Sequence, residues 1–242
     1  PEGFKESLIF PLFKKGDRRV LDCYRTISLC PITSNYLLRS YIPTCHEITN
    51  LSVLPFQFNR SKHNCQDNIF ILTSLIDLCK SSNISLFLLF TDLKKAFDSV
   101  ARAFLNKVLQ SRCPPPLAAI LAFLHQKAKL FFQGETTETD SGVLQGNTLA
   151  ALIFVWIMDE ILREWERRKN KDWGIKICFR KGETLKEFRP HDWEHLSHAE
   201  TIEILLNWLG FADDVIFVST SGAEILDAFL LFVEICFSVG LE

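Results

Sequence analysis

The sequence predicts an α+β fold, with helices packed on one face of an antiparallel sheet. Three observations carry that expectation. Leu86-Phe87-Leu88-Leu89-Phe90 is a short, continuous apolar run, as expected of a strand buried on both faces. A second pair of apolar runs, residues 204–209 and 215–218, brackets Phe211-Ala212-Asp213-Asp214, the pattern of a hairpin. Between and around them lie segments with helical spacing. At 242 residues and 48% hydrophobic, the chain is long and apolar enough to bury a sizeable core.

Taken in order, residues 61–80 form the first clear helix, because Ile69, Leu72, Leu75, Ile76 and Cys79 recur at helical spacing. The strand at 86–90 ends on Thr91-Asp92-Leu93-Lys94-Lys95-Ala96-Phe97-Asp98, and residues 94–110 are compatible with helix, firmest over 104–110. Pro114-Pro115-Pro116 breaks the chain before a helix over 117–127. Residues 129–133 and 136–142 can pair around Gly134. A long apolar helix is expected over 150–168, then a polar insertion at about 170–203, the aspartate hairpin, and a last helix over 223–239. No internal repeat or low-complexity tract is present.

The paired carboxylates are the chemical signal. Adjacent aspartates between apolar strands repel one another and cost free energy if buried unpaired, and a divalent cation relieves both problems. Alone, Asp213 and Asp214 read first as turn residues facing water. Asp92 changes this, because two such strands side by side would bring Asp92 and Asp213 together as hard oxygen ligands. Two metal ions roughly 3.5–4 Å apart form the clamp used for in-line phosphoryl displacement by polymerases and nucleases. A third segment, Ser141-Gly142-Val143-Leu144-Gln145-Gly146-Asn147-Thr148-Leu149, offers close backbone approach at its glycines and an amide to hold a ligand edge.

In their order these pieces resemble the fingers and palm of a reverse transcriptase of the non-LTR (LINE-like) retrotransposon type. Phe90 to Asp98 resembles the family's first aspartate motif, Gly142 to Leu149 its Gln-Gly motif, and Phe211 to Asp214 its paired-aspartate hairpin. Phe13-Lys14-Lys15-Gly16-Asp17 and Tyr24-Arg25-Thr26-Ile27-Ser28-Leu29 resemble the segment that opens the fingers, and Gln57-Phe58-Asn59-Arg60 a later basic fingers motif. The resemblance runs from about Phe10 to Glu242. It implies fingers over residues 1–82 and palm over 83–242, in one catalytic unit.

The resemblance also implies roles. Asp92 and Asp213 would be the principal metal ligands with Asp214 beside them, for two Mg2+ ions that Mn2+ could replace. Phe97 would lie under the sugar and exclude a 2′-hydroxyl. Gln145 and Gly146 would line the nucleotide pocket, and Arg60 would meet the triphosphate, which a planar guanidinium suits. Asp98 would be structural, capping or pairing at the helix start. Lys14, Lys15 and Arg25 are candidates for template or phosphate contact, with a solvated basic loop as the alternative. The implied activity is RNA-directed DNA polymerisation, with an RNA template, a DNA primer and dNTPs as partners. A decayed, inactive copy, a viral RNA-dependent RNA polymerase or an intron-encoded reverse transcriptase would carry much of the same pattern. The chain departs from the family's usual residues at Thr26, where proline is common, at Leu144, and at Ala150-Ala151. Its Gln57–Arg60 motif is one residue short.

The net charge of −2 is low for a chain expected to hold an RNA–DNA hybrid, although residues 14–25 and 163–171 are locally basic. The family continues beyond the aspartate hairpin into a helical thumb, so a chain running from Pro1 to Glu242 is expected to be a fragment without it. The eight cysteines lack metal-site spacing and fit free thiols in a reducing compartment, nuclear or cytoplasmic. His191, His195 and His198 fall in the polar insertion, where a metal role is not expected. No signal peptide or membrane-spanning run is present, and the sequence specifies no oligomeric state.

Overall fold

The computed structural model describes residues 2–20, 23–59, 63–180 and 201–241. After a 3-10 turn at Glu2–Lys5, strands β1 (Glu6–Phe13) and β2 (Tyr24–Leu29) form a hairpin. Helices α1 (Ile32–Arg39), α2 (Ile42–Ser52) and α3 (Cys65–Ser81) follow. Strand β3 (Phe87–Thr91) leads into α4 (Ala96–Ser99), α5 (Arg102–Arg112) and α6 (Pro115–His125). Strands β4 (Ala128–Phe132) and β5 (Glu135–Thr139) precede α7 (Ala150–Arg168). The chain ends in β6 (Ile175–Arg180), β7 (Thr201–Leu206), β8 (Trp208–Phe211), β9 (Asp214–Ser219) and α8 (Gly222–Ser238).

Local chemistry explains most of these boundaries. Asn64 accepts from Asp67 N while Asp67 accepts from Asn64 N, a reciprocal capping box that starts α3. Two prolines open α6, where the missing N–H groups cost nothing. Ser221 accepts from Glu224 N to cap α8. The helix-compatible stretch 94–110 is split in two. Lys95 adopts a left-handed conformation (φ 49°) before the single turn of α4, and Val100 and Ala101 are extended before α5. The apolar run at 204–209 is likewise divided at Asn207 between β7 and β8.

Helix α7 is the axis of the core. Ile153 to Asp159 are all buried, as expected of a helix that is apolar around most of its circumference. Its polar groups are matched individually. Trp156 Nε1 donates to Thr49 Oγ1, Trp165 Nε1 donates to the Ala228 carbonyl, and Trp208 Nε1 donates to Glu166 at its surface edge. The fully buried Asp159 carboxylate pairs with Arg112 at 2.6 Å and Arg163 at 2.8 Å, and accepts from Leu54 N. That network joins α2's trailing segment, α5 and α7.

Strands β3, β9 and β8 form an antiparallel sheet in that order, with α8 packed against it and α7 reaching it through Trp165 on Phe217, which is the expected α+β palm. A second sheet has the order β2-β1-β4-β5. Its β4–β5 hairpin comes from the span expected to be palm, yet β4 pairs in parallel with β1, bringing Glu6 beside Lys129. Strands β6 and β7 form a separate two-stranded ladder. Residues 181–200, most of the polar insertion and all three of its histidines, lie outside the described residues. Among the described residues no helix is long and apolar enough to cross a membrane. Cys23, Cys30, Cys45, Cys65, Cys79, Cys113 and Cys236 are free thiols.

Candidate active site

The register of β3 against β9 pairs Phe90 with Ile216 and Thr91 with Val215. Continued by one residue, it sets Asp92 opposite Asp214. Phe211 pairs with Asp214 across the β8–β9 hairpin, leaving Ala212 and Asp213 as its two-residue turn. The two apolar strands therefore do lie side by side, with Asp214 facing Asp92 and Asp213 at the tip beside them. Thr91 Oγ1 donates to the Val215 carbonyl at 2.9 Å and fixes the strands at this edge.

The carboxylate charges act on one another at this distance. Burial raises the Asp214 pKa, and the Asp213 and Asp92 carboxylates raise it further by like-charge repulsion. Carboxylate oxygens under mutual repulsion match a hard divalent cation in donor chemistry and charge. Their side chains do not close around a common point. Among the described residues no group of three His, Cys, Asp or Glu side chains is arranged to hold a metal ion.

Phe97 sits on α4, half-buried, with its ring stacked on Phe154 of α7 (centroids 4.4 Å apart, 24° between planes). Its carbonyl accepts from Val143 N, which draws the Gln-Gly loop against the first aspartate motif. Gly142 permits this approach. A Cβ there would stand 2.6 Å from the Phe97 oxygen, and its φ of +78° suits glycine. Gln145 and Gly146 reach across to β2. The Gln145 carbonyl accepts from Ser28 N, and a Cβ on Gly146 would lie 2.0 Å from the Ser28 oxygen. Asn35 of α1 accepts from both Thr148 N and Thr148 Oγ1. The loop is thus held by β2 and α1 on one side and by the first aspartate motif on the other.

Asp98 is structural, as expected. It accepts from Thr26 Oγ1, and its carbonyl accepts from Ser141 Oγ. Lys14, Lys15 and Arg25 are exposed at and near the β1–β2 hairpin tip. Arg60 lies outside the described residues.

Two buried amides support the site, and neither was given a role from the sequence. Gln57 is fully buried and spans both backbone polar groups of Ala212. Asn68 of α3 donates to the Gly210 carbonyl at 3.0 Å. The available signal was a single amide between two phenylalanines, Phe56-Gln57-Phe58, which in a buried setting demands fixed partners.

No curated protein matches the chain significantly. Solved structures do resemble it in fold. Telomerase from Candida albicans, in complex with a fragment of telomeric RNA, superposes with a TM-score of 0.60 at 11% identity over 99% of this chain and 41% of that one. Apo telomerase from Candida tropicalis gives 0.60 at 12% identity over 98% of this chain and 43% of that one. The chain therefore spans about two fifths of the length of these proteins. The family model for reverse transcriptase (RNA-dependent DNA polymerase) matches residues 13–242. With nearly its whole length matched and the palm sheet bearing the expected aspartates at its edge, the chain belongs to the reverse transcriptase family.

Proposed function

We propose that this chain is the fingers and palm of an RNA-directed DNA polymerase of the non-LTR (LINE-like) type, extending a DNA primer on an RNA template with dNTPs. The observation that carries this reading is the β3–β9 register, which sets Asp92 against Asp214 beside the Asp213 turn.

Asp92 and Asp213 would hold divalent metal, Mg2+ or Mn2+, with Asp214 as the outer partner. Bound there, a pair of such ions would neutralise the triphosphate and lower the pKa of the primer 3′-hydroxyl. The chain's own residues mainly position the reactants, as in phosphoryl transfer generally. The Phe97 ring, braced by Phe154, would exclude a 2′-hydroxyl from the sugar site. Gln145 and Gly146, anchored on Ser28, would form the wall of the nucleotide pocket. Arg60 would meet the triphosphate, and Lys14, Lys15 and Arg25 the template backbone.

The test is primer extension by the purified chain on an RNA template, with dNTPs against NTPs. Extension with dNTPs alone is expected. Equal use of NTPs would point to an RNA polymerase, and no extension with either would point to an inactive copy.

A further inference from the structure

We propose that Gln57 is a positioning residue for the aspartate turn, holding Ala212 in the conformation that presents Asp213 to Asp92. Ala212 has φ 56°, a left-handed conformation that Cβ disfavours and that something else in the structure must hold. Gln57 is completely buried. Its Nε2 donates to the Ala212 carbonyl at 3.2 Å, and its Oε1 accepts from Ala212 N at 3.0 Å. One amide therefore satisfies both backbone groups of the strained residue.

The amide is itself immobilised. Oε1 also accepts from Asn59 N at 3.3 Å. Phe58 N donates to the Gly210 carbonyl and Gly210 N donates to the Phe56 carbonyl, both at 2.9 Å, so residues 56–58 run as a short parallel bridge along β8. The backbone that carries Gln57 is thus fixed on both sides of it. The turn that carries Asp213 is thereby set by a segment 155 positions earlier in the chain, rather than by the hairpin alone.

This inference rests on the proposed metal-binding role of Asp92 and Asp213, and two readouts separate the two claims. Amide exchange at Ala212, followed by NMR, tests the clamp without reference to metal. In Gln57→Met, nearly the same shape without the donor or acceptor, the Ala212 amide is expected to exchange at least about tenfold faster while Val215 to Ser219 keep their protection. Mn2+ binding, followed by electron paramagnetic resonance, tests the consequence. Affinity is expected to fall by about tenfold or more in Gln57→Met and to recover severalfold in Gln57→Met/Ala212→Gly, because glycine adopts the left-handed turn unaided. A residue that merely filled space would gain nothing from that second change. Should Gln57→Met not fold, Gln57→Leu takes its place, again without a donor or acceptor for Ala212. Unchanged exchange at Ala212, or unchanged Mn2+ affinity in a folded Gln57 variant, would overturn the proposal. A wild-type chain that binds no Mn2+ would instead sink the proposed function, and exchange at Ala212 would then decide the clamp by itself.

Discussion

Thr26 Oγ1 donates a 2.9 Å hydrogen bond to Asp98 Oδ2, linking strand β2 to the first aspartate motif across 72 positions of sequence. A proline at position 26, common in the family, could not make this bond. The Asp98 carboxylate lies in the crease between β2 and α4 while the outer surface of the residue stays open. Burial there raises its pKa, and the Thr26 hydrogen bond and the charges of Lys95 and Lys14 offset part of that.

The bond is expected to show as coupling. In a double-mutant cycle of Thr26→Val and Asp98→Ala, urea unfolding should give a coupling energy of about 1 kcal/mol. Thr26→Ser should retain most of it.

Gly146 should tolerate no side chain. A Cβ would stand 2.0 Å from the Ser28 carbonyl oxygen, backbone that cannot rotate away, and the φ of +116° adds strain. Gly146→Ala is expected to cost about 3 kcal/mol of unfolding free energy. Gly134→Ala has a φ of +88° but nothing within 4 Å, so only the conformational cost of about 1 kcal/mol should appear. Paired urea titrations check the difference.

His125 makes stability depend on pH. It is fully buried on α6, its Nδ1 donating to the Leu121 carbonyl at 2.7 Å, and burial pushes its pKa down to about 4. Below pH 6.5 the unfolded chain takes up a proton that the folded chain refuses, so stability should fall between pH 6.5 and about 4. The loss is about 3 kcal/mol over that window. His125→Leu should flatten this part of the stability profile.

Arg112→Met removes a partner from the fully buried Asp159 carboxylate and should destabilise by about 3 kcal/mol, even with Arg163 retained. Glu160→Gln alters only the partly exposed arm of the same network, at 3.3 Å, and should cost less than about 1 kcal/mol. Thermal unfolding of both variants checks this.

What the sequence made legible follows from where the information sits. Helix α7 was readable to its ends because nineteen consecutive residues carry one apolar pattern. The aspartate hairpin was readable because strand, two-residue turn and strand are contiguous. The pairing of β4 with β1 was not, since a parallel ladder between distant segments leaves no local mark in either. Lys95 hid the break in the 94–110 helix, because nothing in a lysine's residue type announces a left-handed conformation. Gln57 belonged to a recognised motif, but its hydrogen-bond partner lies in the distant β8–β9 turn, and chemistry of that range cannot be read from spacing.

The most direct measurement is primer extension on an RNA template by Asp92→Asn, Asp213→Asn and the double variant, beside the wild-type chain. Wild-type extension is expected to fall about a hundredfold or more in each single variant, with the double variant little worse because the carboxylates act as a unit. Extension at the wild-type rate by either single variant would contradict the assignment of Asp92 and Asp213 as the catalytic pair.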